Sequence, residues 1–334
     1  TNLYGNVWFE HGDLILKSQR AVWYQSAEQV VLTGGVEVKD STRTLNAERV
    51  VYYQKTGKAV ATGEVKLLER EDKVLITGNR GEYDKEKKYA VFTENPKLVA
   101  DPEKGDSSLT VTAQRMEYYK DQEIGIAQDS VIIQKNKLHA TCAKATWYNK
   151  EDVIILSGLP KAKQDQDEVA GDSMQLHLSE NRLERIEVTG RAKASQKLFD
   201  STSARFNESF LTSQKVVFYL KDEKVREVLA VNQATSLYIP SSTDTLDLTK
   251  NETSGDTIQI FIDSSQVERV LVKGGAQGRY FFVPQERKTD TLAREDTVYY
   301  SAASIDYDVN KDIISLEGGS TLRLGNLSLK SAAI

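Results

Sequence analysis

A short pattern recurs nine times along this chain, and the recurrence constrains the fold more than any other feature. Each repeat starts with a small residue, has a mostly apolar residue three positions later, and has a large aromatic or aliphatic residue five positions later. Consecutive repeats start between 29 residues apart (from 18 to 47) and 47 residues apart (from 255 to 302). Periods of this size indicate stacked supersecondary units. The small residues are Ser18, Ala47, Gly78, Ala113, Cys142, Gly171, Ser213, Gly255 and Ala302.

A second segment follows each of these patterns and alternates between apolar and other residues. Around Gly34, for example, Val30, Leu32, Val36 and Val38 occupy every second position. Such alternation predicts a half-buried β-strand, and a glycine in its middle predicts a bend. The equivalent central residues in the later repeats are Gly63, Glu94, Asp129, Gly158, Gly190, Asn232, Gly274 and Gly318.

The first segment of each repeat changes phase in its middle, since three residues separate Ala47 from Val50. An odd step keeps apolar side chains on one side only if the strand bulges there. Short polar turns, such as residues 55–58 and 85–88, join the two segments. We therefore predict an all-β protein, an elongated open β-jellyroll of tandem two-strand repeats that form two facing antiparallel sheets.

The repeat spacing divides the chain into two predicted domains. Residues 1–195 contain the regular repeats, and residues 196–334 continue the jellyroll with longer loop insertions. The insertions at 197–209, 238–253 and 283–297 are polar and predict surface loops. Both termini fall inside a repeat, so we expect unpaired strand edges that accept another strand.

Composition excludes several functional classes. Lys and Arg total 44 against 49 Asp and Glu, and this net charge of −5 argues against nucleic-acid binding. No apolar stretch is long enough to predict a transmembrane segment. One cysteine and three histidines leave little material for a disulfide, a metal site or nucleophilic catalysis. We therefore predict no catalytic residue, no metal, no cofactor and no enzymatic activity.

The large residue of each repeat shares a predicted strand face with the apolar position before it. These residues form a row that is predicted to point inward, between the two sheets. The row consists of Trp23, Tyr52, Tyr83, Tyr118, Trp147, Leu176, Phe218, Ile260 and Tyr307, with Val36, Val65, Leu98 and Val131 opposite.

A basic residue follows the small position by two in six of the repeats. These cations can either lie at the rim of a groove between the sheets or point outward on a solvated sheet face, and strand alternation favours the outward direction. They are Arg20, Arg49, Arg80, Arg115, Lys144 and Lys215. Cys142 occupies the small position of its repeat and is predicted to be a packing residue.

The repeats resemble those of the OstA-like family. The resemblance is carried by residues 45–53 (LNAERVVYY) followed by residues 59–65 (AVATGEV), and it extends over nearly the whole chain. The later repeats, with residues 171–174 leading to 185–190, resemble OstA-like proteins of Bacteroidetes-type bacteria. The family includes LptA and the N-terminal domain of LptD, and the resemblance implies a β-jellyroll that shields the acyl chains of lipopolysaccharide.

On this chain the resemblance implies that the inward row from Trp23 to Tyr307, with Val36, Val65, Leu98 and Val131 opposite, is the lipid-binding surface, because each buried methylene contributes about 0.8 kcal/mol. For any single residue the alternative is that it fills a dry core between the sheets, so the lipid hypothesis concerns the row as a whole. Basic residues at the rim of the groove would meet the phosphates of such a lipid.

The resemblance also implies a location and partners. We expect a periplasmic protein, associated with the outer membrane through other proteins, that binds lipopolysaccharide or a similar multi-acyl lipid. End-to-end strand pairing would join it to other OstA- or Lpt-type jellyrolls, including a second molecule of itself. Two alternatives remain open at the sequence level: a lipid-free structural filament, and an extracellular β-solenoid that acts as an adhesin or on polysaccharides.

Overall fold

The protein is all-β, as the sequence predicts. The computed structural model describes residues 1–71, 73–179, 182–201, 203–222, 224–241, 249–264, 266–282, 296–311 and 313–334. Within these ranges, strands alternate with turns and with two short 3-10 segments, η1 (Gln25–Ala27) and η2 (Pro102–Ser107). The chain forms two compact units, an N-terminal unit of Thr1–Gly158 and a C-terminal unit of Leu159–Ile334. The predicted division at residue 195 concerns the regularity of the repeats and stays a prediction.

The N-terminal unit contains the first thirteen strands in chain order. They are β1 (Asn2–His11), β2 (Leu14–Tyr24), β3 (Gln29–Lys39), β4 (Arg43–Tyr53), β5 (Lys58–Glu69), β6 (Val74–Asp84), β7 (Tyr89–Thr93), β8 (Lys97–Ala100), β9 (Leu109–Thr112), β10 (Arg115–Tyr119), β11 (Ile124–Lys135), β12 (Leu138–Tyr148) and β13 (Val153–Ser157).

The C-terminal unit contains the remaining strands of the described part of the chain. They are β14 (Lys161–Gln164), β15 (Asp167–Ala170), β16 (Ser173–Ser179), β17 (Arg182–Asp200), β18 (Arg205–Lys221), β19 (Lys224–Ile239), β20 (Lys250–Asp263), β21 (Gln266–Phe282), β22 (Asp296–Asp308), β23 (Ile313–Leu324) and β24 (Leu327–Ala333).

Consecutive long strands pair antiparallel within each unit, for example β3 with β4 and β4 with β5 in one, and β17 with β18 and β18 with β19 in the other. Tight turns at 54–57 and 85–88 connect them, at the polar segments that the sequence assigns to hairpins. The alternative of a parallel β-solenoid is therefore wrong. Neighbouring strands of a parallel coil run in the same direction, whereas the neighbouring strands here run in opposite directions.

Each long strand bends at a β-bulge in its middle. The pairing register shifts between Thr33 and Val36 on β3 and between Asn46 and Arg49 on β4, and equivalent shifts recur along both units. On β3 the bend has two residues with positive φ, Gly34 at 80° and Gly35 at 54°. Glycine adopts this conformation without a steric penalty, and Asn and Asp tolerate it better than most residues. This preference explains why Gly, Asn or Asp occupies most of the central positions.

The bend divides each strand into two halves, which we call arm A and arm B. Arm A contains the large residue of the repeat, as in residues 49–53 of β4, and arm B lies on the other side of the bulge, as in residues 43–47. The arms pack against each other next to the bend, since a Cβ added to Gly81 on arm A would lie 3.3 Å from Val65 Cγ1 on arm B. The small residue that starts each repeat also lies at this close contact between the arms. At Gly171, for example, an added Cβ would lie 2.5 Å from Val188 Cγ1, which is too close for a larger side chain.

Arm B is longer in the C-terminal unit, which corrects one prediction from the sequence. The insertion at 197–209 is mostly strand, because β17 continues to Asp200 and β18 begins at Arg205. Leu198 pairs with Asn207 and Phe199 with Phe206, so the insertion lengthens a hairpin instead of forming a loop. Of the other two predicted insertions, residues 242–248 and 283–295 lie outside the described residues.

Candidate lipid-binding face

The side of the strands that faces inward is identified by a fully buried row at the bend. Val36 is 1% exposed, Val65 is 0% exposed and Val131 is 1% exposed. The residue three positions after the small one is buried on the same side, as in Val50 and Met116. We call this side the inner face. The equivalent bend positions of the other repeats are also buried, namely Pro96, Pro160, Ala192, Ala234, Ala276 and Ser320.

The predicted aromatic row lies on the inner face of arm A and forms a continuous cross-strand ladder. In the N-terminal unit each large residue alternates with a smaller apolar one, so that Tyr52 pairs with both Val30 and Ala59. The complete ladder runs through Trp23, Val30, Tyr52, Ala59, Tyr83, Ala90, Tyr118, Gly125, Trp147 and Ile154.

The C-terminal unit has an equivalent ladder in which aliphatic side chains predominate. It runs through Leu176, Ile186, Phe218, Val228, Ile260, Val270, Tyr307 and Ile314. Phe218 is buried, but the other eight residues of the predicted row are only partly buried in the two units. The row therefore lies between the dry bend and solvent, and it is more accessible than the core position two residues away.

Arm B carries a second apolar ladder in the N-terminal unit, which sequence reasoning identified only through Leu98. Leu98 lies two residues beyond the bend position of its repeat, Pro96, so it does not share a row with Val36, Val65 and Val131. Period-two alternation continues past the bend and contains the signal for this row. The ladder runs through Phe9, Leu16, Val38, Leu45, Leu67, Ile76, Leu98, Val111, Ile133 and Ala140.

The basic residues of the repeats lie on the outer face, because they are one position out of phase with the buried inner-face residues, as Arg49 is with Val50. Arg80 pairs with Glu82 at 2.7 Å, and Arg115 pairs with Glu117. The Lys215 Nζ lies 2.6 Å from a carboxylate oxygen of Glu187, across the sheet. These cations therefore do not line the inner face, as strand alternation predicts.

Cys142 is 8% exposed and lies opposite Val131 at the bend. Burial raises the pKa of its thiol to about 11, so the reactive thiolate is scarce at neutral pH. The residue has the environment of a packing side chain. His177 lies on the outer face of the C-terminal unit, where burial lowers its pKa and an Arg185 Nη2 lies 3.2 Å from its Nε2.

The geometry defines an antiparallel β-jellyroll with an apolar inner face. Comparison with known proteins shows which family and which solved structure it resembles. Residues 1–124 match the family model described as LptA/(LptD N-terminal domain) LPS transport protein. This match confirms, over residues 1–124, the resemblance to the OstA-like/LptA family that the sequence shows.

A solved structure also matches the chain: LptH, the LptA-homologous periplasmic component of the lipopolysaccharide transport device from Pseudomonas aeruginosa. It is 15% identical with a TM-score of 0.31, and the match covers 48% of this chain and 92% of LptH. No curated protein matches. Among the described residues, no helix has the length and hydrophobicity that a membrane span requires.

Proposed function

We propose that this protein takes part in lipopolysaccharide transport by holding the acyl chains of lipopolysaccharide, or of a similar multi-acyl lipid, on its inner face. The observation that supports this proposal is the accessible apolar ladder from Trp23 to Ile154, next to a bend that is fully buried. The tyrosines Tyr52, Tyr83 and Tyr118 are partly exposed in one unbroken row. This row keeps apolar surface accessible to a ligand, whereas a dry core would bury it.

The energy of such binding comes from removing acyl surface from water. About twelve methylenes of one chain, at about 0.8 kcal/mol each, contribute roughly 10 kcal/mol before the costs of ordering are subtracted. A lipid with several chains is therefore held without any covalent step. In this proposed role the protein has no enzymatic activity and needs no cofactor, because shielding an acyl chain requires apolar surface and no reactive groups.

The proposed location is the periplasm, with outer-membrane association through partners. Proposed partners are other OstA- or Lpt-type jellyrolls, or a second molecule of this chain, which pair end to end through β1 or β24. One cysteine introduced in β1 and one in β24 test the pairing. If these strands of two molecules lie side by side, oxidation should join the molecules by a disulfide. Cys142 is buried and would not compete for oxidation.

Adjacent residues that point to opposite faces provide a direct test of acyl binding. Tyr52 is on the inner face, whereas Tyr53 is on the outer face and 38% exposed. A photo-crosslinking amino acid at position 52 is expected to capture lipopolysaccharide, and the same group at position 53 is expected to capture little. Equal capture at both positions, or none at position 52, would contradict the proposal.

The same experiment separates lipid binding from the filament alternative. A lipid-free filament would assemble normally, yet position 52 would give no lipid adduct in intact cells. The variant Tyr52→Asp adds the complementary measurement, because a charge on the inner face should reduce lipid capture from neighbouring inner positions more than Tyr53→Asp does. Thermal unfolding of both variants shows whether the loss reflects binding or folding.

A further inference from the structure

The inner face of arm B changes chemistry between the two units. In the N-terminal unit the row two residues beyond the bend is apolar throughout, from Leu16 to Ala140. The equivalent row in the C-terminal unit contains hydroxyl groups and a glycine. It runs through Ala194, Leu211, Ser236, Thr253, Gly278, Tyr300, Leu322 and Leu329. Acyl chains gain nothing from these hydroxyl groups, so this face suits a different ligand chemistry.

The lengthened strands add a further row that places an amide between two tyrosines. Tyr238 pairs directly with Asn251, and Asn251 pairs directly with Tyr280, so the three side chains are neighbours on the inner face. Tyr238 is 43% exposed and Tyr280 is 40% exposed. The ring of Tyr280 also stacks on Phe282, at 5.9 Å between centroids and 18° between planes, which supports its position.

Contacts from the next row fix the orientation of the amide. The Tyr300 hydroxyl donates a 2.6 Å hydrogen bond to Asn251 Oδ1, and it lies 3.3 Å from the Thr253 hydroxyl. Tyr300 reaches this point because its ring covers Gly278: a Cβ there would lie only 1.9 Å from Tyr300 Cζ. With its oxygen held by Tyr300, Asn251 directs its two N–H donors elsewhere.

We propose that Tyr238, Asn251 and Tyr280 form a saccharide-binding site on the inner face of arm B. A sugar ring presents apolar C–H faces that stack on aromatic rings and hydroxyl groups that bond to a fixed amide. Partly exposed tyrosine rings beside a preorganised hydrogen-bonding group are the two elements that such a ligand requires. Neither element carries charge, which favours a neutral sugar over a phosphate group.

This inference rests on the proposed function, because it assigns the carbohydrate part of the same glycolipid to a site of its own. Arm A of the C-terminal unit, with Leu176, Phe218 and Ile260, would hold acyl chains, and arm B would contact sugars. The amphipathic ligand would then match a division that is already present within one unit of the protein.

The test uses the full-length protein and the lipid-free oligosaccharide that mild acid releases from lipopolysaccharide, with intact lipopolysaccharide as a second probe. Titration calorimetry of the wild-type protein should detect the free oligosaccharide. The double variant Tyr238→Ala/Tyr280→Ala should weaken this binding at least ten-fold, whereas Tyr280→Phe should retain it because the ring remains. The matched control is Tyr24→Ala/Tyr53→Ala, which removes two exposed tyrosines from the outer face of the N-terminal unit.

Absence of oligosaccharide binding by the wild-type protein overturns the inference, and so does unchanged binding by the double variant with a wild-type urea midpoint. An equal loss in the outer-face control also overturns it. The outcome is distinguishable from failure of the proposed function: acyl crosslinking at position 52 with no saccharide binding refutes only the sugar site. Saccharide binding without acyl crosslinking refutes only the acyl-binding role.

Discussion

Truncation of one valine at the bend tests whether the buried row is the structural core of the N-terminal unit. Val65 is 0% exposed, lies opposite Gly78, and its Cγ1 packs close to Gly81 on the other arm. Val65→Ala removes two methyl groups, worth about 1.6 kcal/mol of transfer free energy. A residual cavity of about 50 Å³ adds roughly 1 kcal/mol, so we expect a loss of about 2–3 kcal/mol in the free energy of unfolding.

Tryptophan fluorescence during urea unfolding measures this loss selectively. All three tryptophans, Trp8, Trp23 and Trp147, lie in the N-terminal unit, so the signal reports on the unit that contains the change. The midpoint should fall by about 1 M urea with an unchanged m-value. Val60→Ala, on the outer face of the same strand, is the matched control and should cost less than about 1 kcal/mol. A midpoint for Val65→Ala equal to that of the control would refute the assignment of the bend as core.

Three further outcomes follow from the structure. Gly278→Ala should displace the Tyr300 ring and cost about 1–3 kcal/mol, measured by thermal unfolding, with weaker saccharide binding as a second effect. Cys142 should resist thiol reagents in the native protein and react quickly in urea, and fast native labelling would contradict its burial. Glu187→Gln should cost about 1–2 kcal/mol at neutral pH, because the hydrogen bond from Lys215 holds the pKa of Glu187 below its ordinary value. A depressed carboxylate pKa stabilises the fold above the unfolded pKa, so this difference should be lost as the pH falls through the lowered folded pKa of Glu187, and a constant difference would contradict it.

Much of the inner face was predictable because strand alternation is a local property. The face of Trp23, Tyr52 or Tyr118 follows from counting residues away from a buried neighbour, and the cation two positions after the small residue in six of the repeats falls outside by the same count. Counting residues along the strand placed Leu98 in the wrong row. In its repeat, Glu94 and Asn95 replace the glycines of the bend, and Pro96 takes the buried position, so choosing the most aliphatic nearby residue shifts the assignment by one row.

The amino-acid sequence by itself determined the repeats, the all-β class, the bulge in each strand and the side of the sheet on which each apolar residue lies. These features depend on residues that are close along the chain. Only the tertiary structure decided that residues 197–200 pair with residues 205–208 to extend a hairpin and that Tyr238, Asn251 and Tyr280 become neighbours. Those outcomes depend on the pairing register between strands that are distant in sequence, and register is set by packing across the whole sheet.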